Sequence, residues 1–135
     1  MRAKAVLWAA RATLIFVFLG NLQCALSFLL DPWSYVPGFE IGGVGGRTAV
    51  QGIGILMLMW QVPYIPAIWH PRQHRLCFAC VIAMQVIGLL GETALLLTLP
   101  PGHQLLRATG MRFIAFDGLG LLLMLGAFAL LKRKT

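Results

Sequence analysis

Four long apolar segments constrain the fold of this 135-residue chain more than any other feature. Hydrophobic residue types make up 59% of the chain and charged residues only 11%, whereas a soluble domain is about one quarter charged. As helices the segments would reach roughly 28 to 36 Å, against a membrane hydrocarbon core of about 30 Å. Their apolar runs are uninterrupted, unlike the alternating strands of a membrane barrel. The segments are Ala12–Leu30, Thr48–Trp69, Leu76–Leu99 and Phe113–Leu131.

The sequence therefore predicts an all-α fold, an integral membrane four-helix bundle that forms a single domain over residues 1–135. The predicted spans are about 12–30, 48–69, 76–99 and 113–131. Pro63 and Pro66 lie in the last third of the second span, so we expect a kink or local unwinding there. Helix packing and satisfied polar groups are expected to hold such a bundle together.

The placement of Lys and Arg predicts the orientation of the bundle. Of the eleven basic residues, eight flank the spans on one side and three on the other. The positive-inside rule then places both termini and the loop His70–Arg75 in the cytoplasm, as in a multi-pass protein of the bacterial inner membrane type. The eight are Arg2, Lys4, Arg11, Arg72, Arg75, Lys132, Arg133 and Lys134, and the three are Arg47, Arg107 and Arg112. These charges flank separate helices and form no continuous basic face, so the expected partner is the lipid bilayer and not a nucleic acid.

Two lone carboxylates, Glu92 and Asp117, interrupt the apolar spans, and an ionisable side chain in hydrocarbon needs a partner, a cavity or a function. Gln85, Gly88 and Glu92 fall on one face of the third helix, and Asp117 enters the fourth helix from the same outer surface. Small residues beside polar ones are typical of close helix contacts in lipid. The candidates for ligand or proton binding are Glu92, Asp117, Gln51, Gln85 and Arg112.

Two interpretations of the carboxylates stay open. In the first, Glu92 and Asp117 pair with an arginine and lock the third and fourth helices together, because intramembrane carboxylates usually pair within the bundle. In the second, they line an outward-facing cavity that binds a proton, a cation or a polar ligand. The arginines available for the first are Arg47, Arg107 and Arg112.

A cluster of His and Cys residues lies at the predicted cytoplasmic end of the third helix. His70, His74, Cys77 and Cys80 form the motif H-x3-H-x2-C-x2-C, whose residue types suit a tetrahedral metal site, and the two Cys alone suit a redox pair. In a reducing cytoplasm such cysteines more often serve as small apolar side chains than as metal ligands or a redox pair. No catalytic residue, metal or cofactor is predicted, and no hydrolase motif occurs.

The second span opens with G-R-x-A-V-Q-G-I-G-I-L, residues Gly46–Leu56. With its four short spans and predicted cytoplasmic termini, the chain resembles the DoxX-like group of small bacterial membrane proteins, whose members often begin this helix with glycines on one face and follow it with a short basic turn. The resemblance covers most of the chain. It implies a four-helix topology and, from some members, an accessory role in quinone-dependent oxidation or redox homeostasis.

Three functional hypotheses follow from the sequence. The first is a non-enzymatic accessory or assembly subunit of a larger membrane complex or homo-oligomer, with a polar core in its outer leaflet. The second is a small proton-linked transporter or ligand-binding membrane protein that uses Glu92 and Asp117. The third is a quinone- or metal-linked redox accessory protein that uses the His and Cys cluster. The first is favoured, and enzymatic activity is not expected, because no hydrolase motif occurs and no Ser has a base near it in sequence.

Overall fold

The computed structural model describes residues 2–132, and the side chains of residues 3–132. This part of the chain is helical apart from short connections and contains no strand, which confirms the all-α prediction. Arg133 and Lys134, which contributed to the predicted orientation, lie outside the described residues. The helices are α1 (Arg2–Leu30), α2 (Gly43–Gln61), α3 (Tyr64–Trp69), α4 (Arg75–Thr98) and α5 (Gln104–Lys132). Two short 3₁₀ helices, Pro32–Ser34 and Val36–Phe39, lie between α1 and α2.

Three helices of the described chain, α1, α4 and α5, are long and apolar enough to cross a membrane, which indicates an integral membrane protein. Helices α1 and α5 each contain 29 residues and begin well before the predicted starts at Ala12 and Phe113. The charges of Arg11 and Arg112 end the apolar runs, but arginine is a good helix former, so the helices continue through them. Hydropathy therefore located these spans but not their helix ends.

The second predicted span is divided between two helices. Helix α2 ends at Gln61 and α3 begins at Tyr64, with Pro63 between them. Because proline lacks an N–H group and its ring clashes with the preceding turn, the helix cannot continue unbroken. This confirms the predicted break in the last third of that span. Helix α2 also begins earlier than the predicted Thr48, at Gly43, whose φ is +65°.

Helices α1 and α5 form the central pair of the molecule. Helix α2 packs against the α1 side of this pair and α4 against the α5 side, while the short helix α3 contacts both α1 and α4. We call the half of the molecule that contains α3 the inner half, and the half that contains the 3₁₀ helices the outer half. In the inner half α1, α3, α4 and α5 surround a core, and in the outer half α1, α2, α5 and the 3₁₀ helices do so.

Each half has its own hydrophobic core. In the outer half, the ring of Phe28 contacts Tyr35, Phe39 and Phe113, with ring centroids 4.9 to 6.2 Å apart, so the first outer loop is packed onto the helices. The inner core contains Ala10, Leu14, Val17, Tyr64, Ala67, Phe78, Val81, Met124, Ala127 and Leu131. The outer core contains Ala25, Phe28, Val36, Val50 and Met57.

Helices α1 and α2 approach each other closely at Gly54, and we expect a side chain there to separate them. A Cβ atom at Gly54 would lie 2.9 Å from the carbonyl oxygen of Ala25 and 3.1 Å from the Cβ of Phe28, whereas one at Gly52 would meet nothing within 4 Å. Gly54→Ala should therefore lower the free energy of unfolding by about 1–3 kcal/mol. Gly52→Ala should leave it unchanged or raise it by up to about 1 kcal/mol, since alanine favours the helix. Unfolding in a denaturing detergent, followed by tryptophan fluorescence, measures both, and equal effects would contradict the close approach.

Candidate functional site

The side-chain amide of Gln85 ties α4 to α5 in the middle of the molecule. Its Nε2 donates to Oδ1 of Asp117 at 2.9 Å and to the backbone carbonyl of Asp117 at 3.3 Å. Its Oε1 accepts a hydrogen bond from the hydroxyl of Tyr64 at 3.5 Å, and Gln85 is only 6% exposed. A chain of polar contacts therefore connects α3, α4 and α5. Gln85 and Asp117 were candidates from the sequence, but Tyr64 was not, because its neighbours Pro63 and Pro66 gave no helical register.

Two glycines make this contact possible. A Cβ atom at Gly88 would lie 3.0 Å from Oδ2 of Asp117, and one at Gly120 would lie 3.1 Å from Nε2 of Gln85 and 3.2 Å from a methyl group of Val17. The small residues on these faces of α4 and α5 thus provide the space in which the polar side chains meet. This is how helices in lipid approach closely enough to form hydrogen bonds.

Glu92 lies one turn beyond Gly88 toward the outer end of α4. Because Asp117 reaches α4 at Gly88, it sits about one turn deeper than Glu92. Glu92 is half-buried, and its Oε2 is buried without a hydrogen-bond partner in the described part of the chain. The two carboxylates are therefore neighbours with different surroundings, since Asp117 has a donor and Oε2 of Glu92 has none.

Neither carboxylate forms an ion pair with an arginine of the described chain. Between described residues the single ion pair joins Glu40 to His103. Arg107 instead donates to the carbonyl of Leu99 at 3.4 Å, and Arg112 is exposed. The predicted pairing of Glu92 or Asp117 with Arg47, Arg107 or Arg112 is therefore not formed.

Gln51, another candidate, lies apart from the Gln85–Asp117 contact. Its Nε2 donates to the carbonyl of Leu29 at 3.2 Å and so joins α2 to the end of α1. Since α4 and α2 lie on opposite sides of the central pair, Gln51 serves a different helix contact. The structure does not bring it or Arg112 into one site with Glu92.

Two grooves on the molecular surface, of about 540 and 480 Å³, both run along α1. Side chains of α1 and α3 line the first, and side chains of α1 with Asp31 line the second. Neither groove reaches Glu92 or Asp117. The carboxylates consequently lie at a helix contact and not on the wall of either groove.

The His and Cys residues of the predicted metal motif do not converge. The rings of His70 and His74 are 6.3 Å apart, Cys77 packs against the inner core, and Cys80 is exposed. Among the described residues, no three His, Cys, Asp or Glu side chains form a group that could hold a metal ion. The tetrahedral site considered from the spacing is therefore not assembled among the described residues.

A contact that the sequence did not predict joins the loop before α2 to the N-terminus of α5 at the outer end of the molecule. Oε1 of Glu40 accepts hydrogen bonds from the backbone N–H groups of Leu105 and Leu106 at 3.0 and 3.1 Å, and its Oε2 accepts one from Nδ1 of His103. Thr109 also donates to the carbonyl of Gly38 at 2.7 Å. Glu40 thus caps the N-terminus of α5 from a distant loop, where a negative charge is favourable. Its partners lie more than 60 residues away, so no local pattern indicates them.

The cap makes the stability of the outer end depend on pH. The hydrogen bond with His103, followed by those with Leu106 and Leu105, holds the pKa of Glu40 below its ordinary value of 4.5. A lowered folded-state pKa means that the carboxylate stabilises the fold above the ordinary pKa and that this stabilisation is lost as the pH falls through the lowered pKa. Glu40→Gln should therefore melt at a lower temperature than the wild type at pH 7, and the gap in Tm should narrow as the pH falls below the ordinary pKa of 4.5. A gap in Tm of the same size at pH 7 and pH 3 would contradict this.

The chain matches no protein-family model, no curated protein and no solved structure. Its candidate function therefore depends on the geometry of its own residues.

Proposed function

We propose that this protein is a multi-pass membrane protein of the bacterial inner membrane type that serves as a non-enzymatic accessory or assembly subunit. In this proposal the chain crosses the membrane four times, with both termini and the loop between α3 and α4 in the cytoplasm. The use of intramembrane polar groups for helix contacts supports it: Gln85 holds Asp117 across α4 and α5, and Gln51 holds α2 to α1. The resemblance to DoxX-like proteins, some of which are accessory subunits, points the same way.

The surroundings of Glu92 carry the proposal. In its outer half α4 no longer contacts α3, and α5 is its neighbouring helix. The rest of the surface of this part of α4 is exposed within the described chain. Ile87, Leu90, Leu95 and Leu97 are each at least 66% exposed there. In hydrocarbon an unsatisfied polar atom costs several kcal/mol. A helix of another subunit that packs on this surface and turns the Glu92 carboxylate toward a donor of its own would remove that cost.

The test is the size of the assembly in native membranes. We expect the protein, produced at its natural level in its own host and extracted in a mild detergent, to migrate on a native gel as a complex much larger than its 14.8 kDa chain. Glu92→Leu should release the monomer. Thr98→Val is the matched control, because Thr98 bonds only to carbonyls of its own helix, and it should leave the complex intact. A wild-type protein that is monomeric in the extract and in cross-linked membranes would refute the proposal.

A proton-linked carrier is the second candidate, favoured by the unpartnered Oε2 of Glu92 one turn from a second carboxylate. Such a carrier would pass a proton between Glu92 and Asp117. In vesicles that contain a pH-sensitive dye, the wild type would then dissipate an imposed pH gradient, and folded Glu92→Gln and Asp117→Asn would not. Equal proton flux through wild type, variants and empty vesicles would exclude the carrier.

The four-span topology has its own test, because α2 and α3 must together make the second crossing. In a variant without Cys24, Cys77 and Cys80, a single cysteine is placed at Ser34 or at Arg72. We expect a membrane-impermeant maleimide to label Ser34→Cys from outside the cell and Arg72→Cys only after permeabilisation. Labelling of both positions from the same side would mean that the chain between them does not cross.

A further inference from the structure

We propose that the groove between α1 and α3 binds one anionic phospholipid, with an acyl chain along the groove and the lipid phosphate at Arg11. This inference goes beyond the accessory function. It requires only that α1 lies in a membrane.

The groove has the apolar lining that an acyl chain needs. Ile15 and Leu19 of α1 form one wall, and Ile65 and Ile68 of α3 form the other. Its volume of about 540 Å³ is within the range of small-molecule sites, about 300–1,000 Å³. From Arg11 to Leu19 it follows α1 for roughly 12 Å. Leu19 and Ile65 are each more than half exposed, so no described part of the chain covers the groove.

Arg11 places a fixed positive charge at one end of the groove. Its Nη2 donates to the carbonyl of Trp69 at 2.6 Å, and its guanidinium lies 5.2 Å from the ring centroid of Trp8. Its side chain is half-buried, and no described carboxylate forms an ion pair with it. The guanidinium is thus oriented by the protein while its charge stays unneutralised. A phosphate is the anion that suits its planar set of donors.

The depth of Arg11 agrees with that of a lipid headgroup. Trp8 and Trp69, which flank the guanidinium, are 63% and 69% exposed. Exposed tryptophans favour the membrane–water interface, where the phosphates of the lipid lie. The long apolar segment of α1 after Arg11 then enters the hydrocarbon beside the groove.

The second groove shows why the charge of the lipid matters. It continues along the same helix from Leu19 to Leu30 and is also apolar, but it ends at Asp31. An acyl chain fits the apolar lining of both grooves, whereas a phosphate is attracted to Arg11 and repelled by Asp31. Charge complementarity therefore assigns an anionic lipid to the first groove.

The experiment is native mass spectrometry of the protein released from bilayers of phosphatidylcholine and phosphatidylglycerol in equal amounts. We expect the wild type to retain one phosphatidylglycerol in preference to phosphatidylcholine. Arg11→Gln should weaken retention by about tenfold or more, as expected for the loss of a charge-assisted hydrogen bond. Arg72→Gln, the matched control, removes an exposed charge from the loop at the same end and should change retention by less than about fivefold.

A second variant tests the groove without changing the charge. Ile15→Trp would fill the apolar wall next to Arg11 and should also abolish preferential retention. This variant still tests the proposal if Arg11→Gln does not fold because it has lost the hydrogen bond to Trp69. The proposal is overturned if the wild type retains both lipids equally, if Arg72→Gln weakens retention as much as Arg11→Gln, or if folded Ile15→Trp retains phosphatidylglycerol like the wild type.

Discussion

Replacing Gly120 with leucine should produce one of the largest losses of stability available to a single substitution in this protein. Gly120 is buried where α1, α4 and α5 meet, and a Cβ atom there would press on Gln85 and Val17 at once, at 3.1 and 3.2 Å. The rest of the leucine side chain would have no space, so α5 would have to move from α1, from α4 or from both. Overpacking of a filled site typically costs about 1–3 kcal/mol, and contact with two helices places this case at or above the upper end.

Gly126→Leu is the matched control, because Gly126 lies on the same helix and a Cβ atom there would meet nothing within 4 Å. Both substitutions replace glycine with a better helix former, so the gain in helix propensity cancels in the comparison. We expect Gly126→Leu to keep or slightly raise the midpoint of unfolding in a denaturing detergent. A Gly120→Leu protein as stable as Gly126→Leu would mean that α5 does not pack at this distance.

The sequence predicted the positions of the helices well because apolar runs and prolines are local features that can be read directly from the chain. The apolar runs located α1, α4 and α5, and Pro63 located the break that separates α2 from α3. The consequence of that break was not predictable, since it depends on where each piece packs. Helix α2 packs on α1 in the outer half, and α3 crosses to contact α4 in the inner half. A straight helix would have kept one set of neighbours along its length.

The candidate site was predicted in part, for the same physical reason. The spacing of Gln85, Gly88 and Glu92 fixed one face of one helix, and that face does meet Asp117. Spacing within a helix says nothing about which side chain of another helix lies opposite it. The expected arginine partners were therefore wrong. The acceptor of each donor is set by helix packing, as Tyr64 and its bond to Gln85 illustrate.

Replacing Gln85 with leucine should cause the second large loss of stability. Leucine has a side chain of similar size to that of glutamine but is apolar. The variant therefore removes the amide that donates to Oδ1 of Asp117. Hydrogen bonds within membranes contribute only about 0.6 kcal/mol on average and at most about 1.7 kcal/mol. A carboxylate that loses its donor between helices costs more, because its desolvation is no longer offset. We expect a loss of about 2–4 kcal/mol in the free energy of unfolding.

A double-mutant cycle isolates this contact. Asp117→Asn keeps an acceptor oxygen for Gln85 and should cost less than about 1 kcal/mol. Gln85→Leu combined with Asp117→Leu should be more stable than Gln85→Leu alone, because the carboxylate that lost its donor is then removed, and the Tyr64 hydroxyl keeps the sulfur of Met124 as a weak acceptor in both variants. Gln51→Leu provides the control, since Gln51 bonds to a backbone carbonyl away from Asp117, and its effect should add to that of Asp117→Leu within about 0.5 kcal/mol. If Gln85→Leu and Asp117→Leu were also additive, the 2.9 Å bond would contribute nothing to stability, and the polar groups of α4 and α5 would need another explanation.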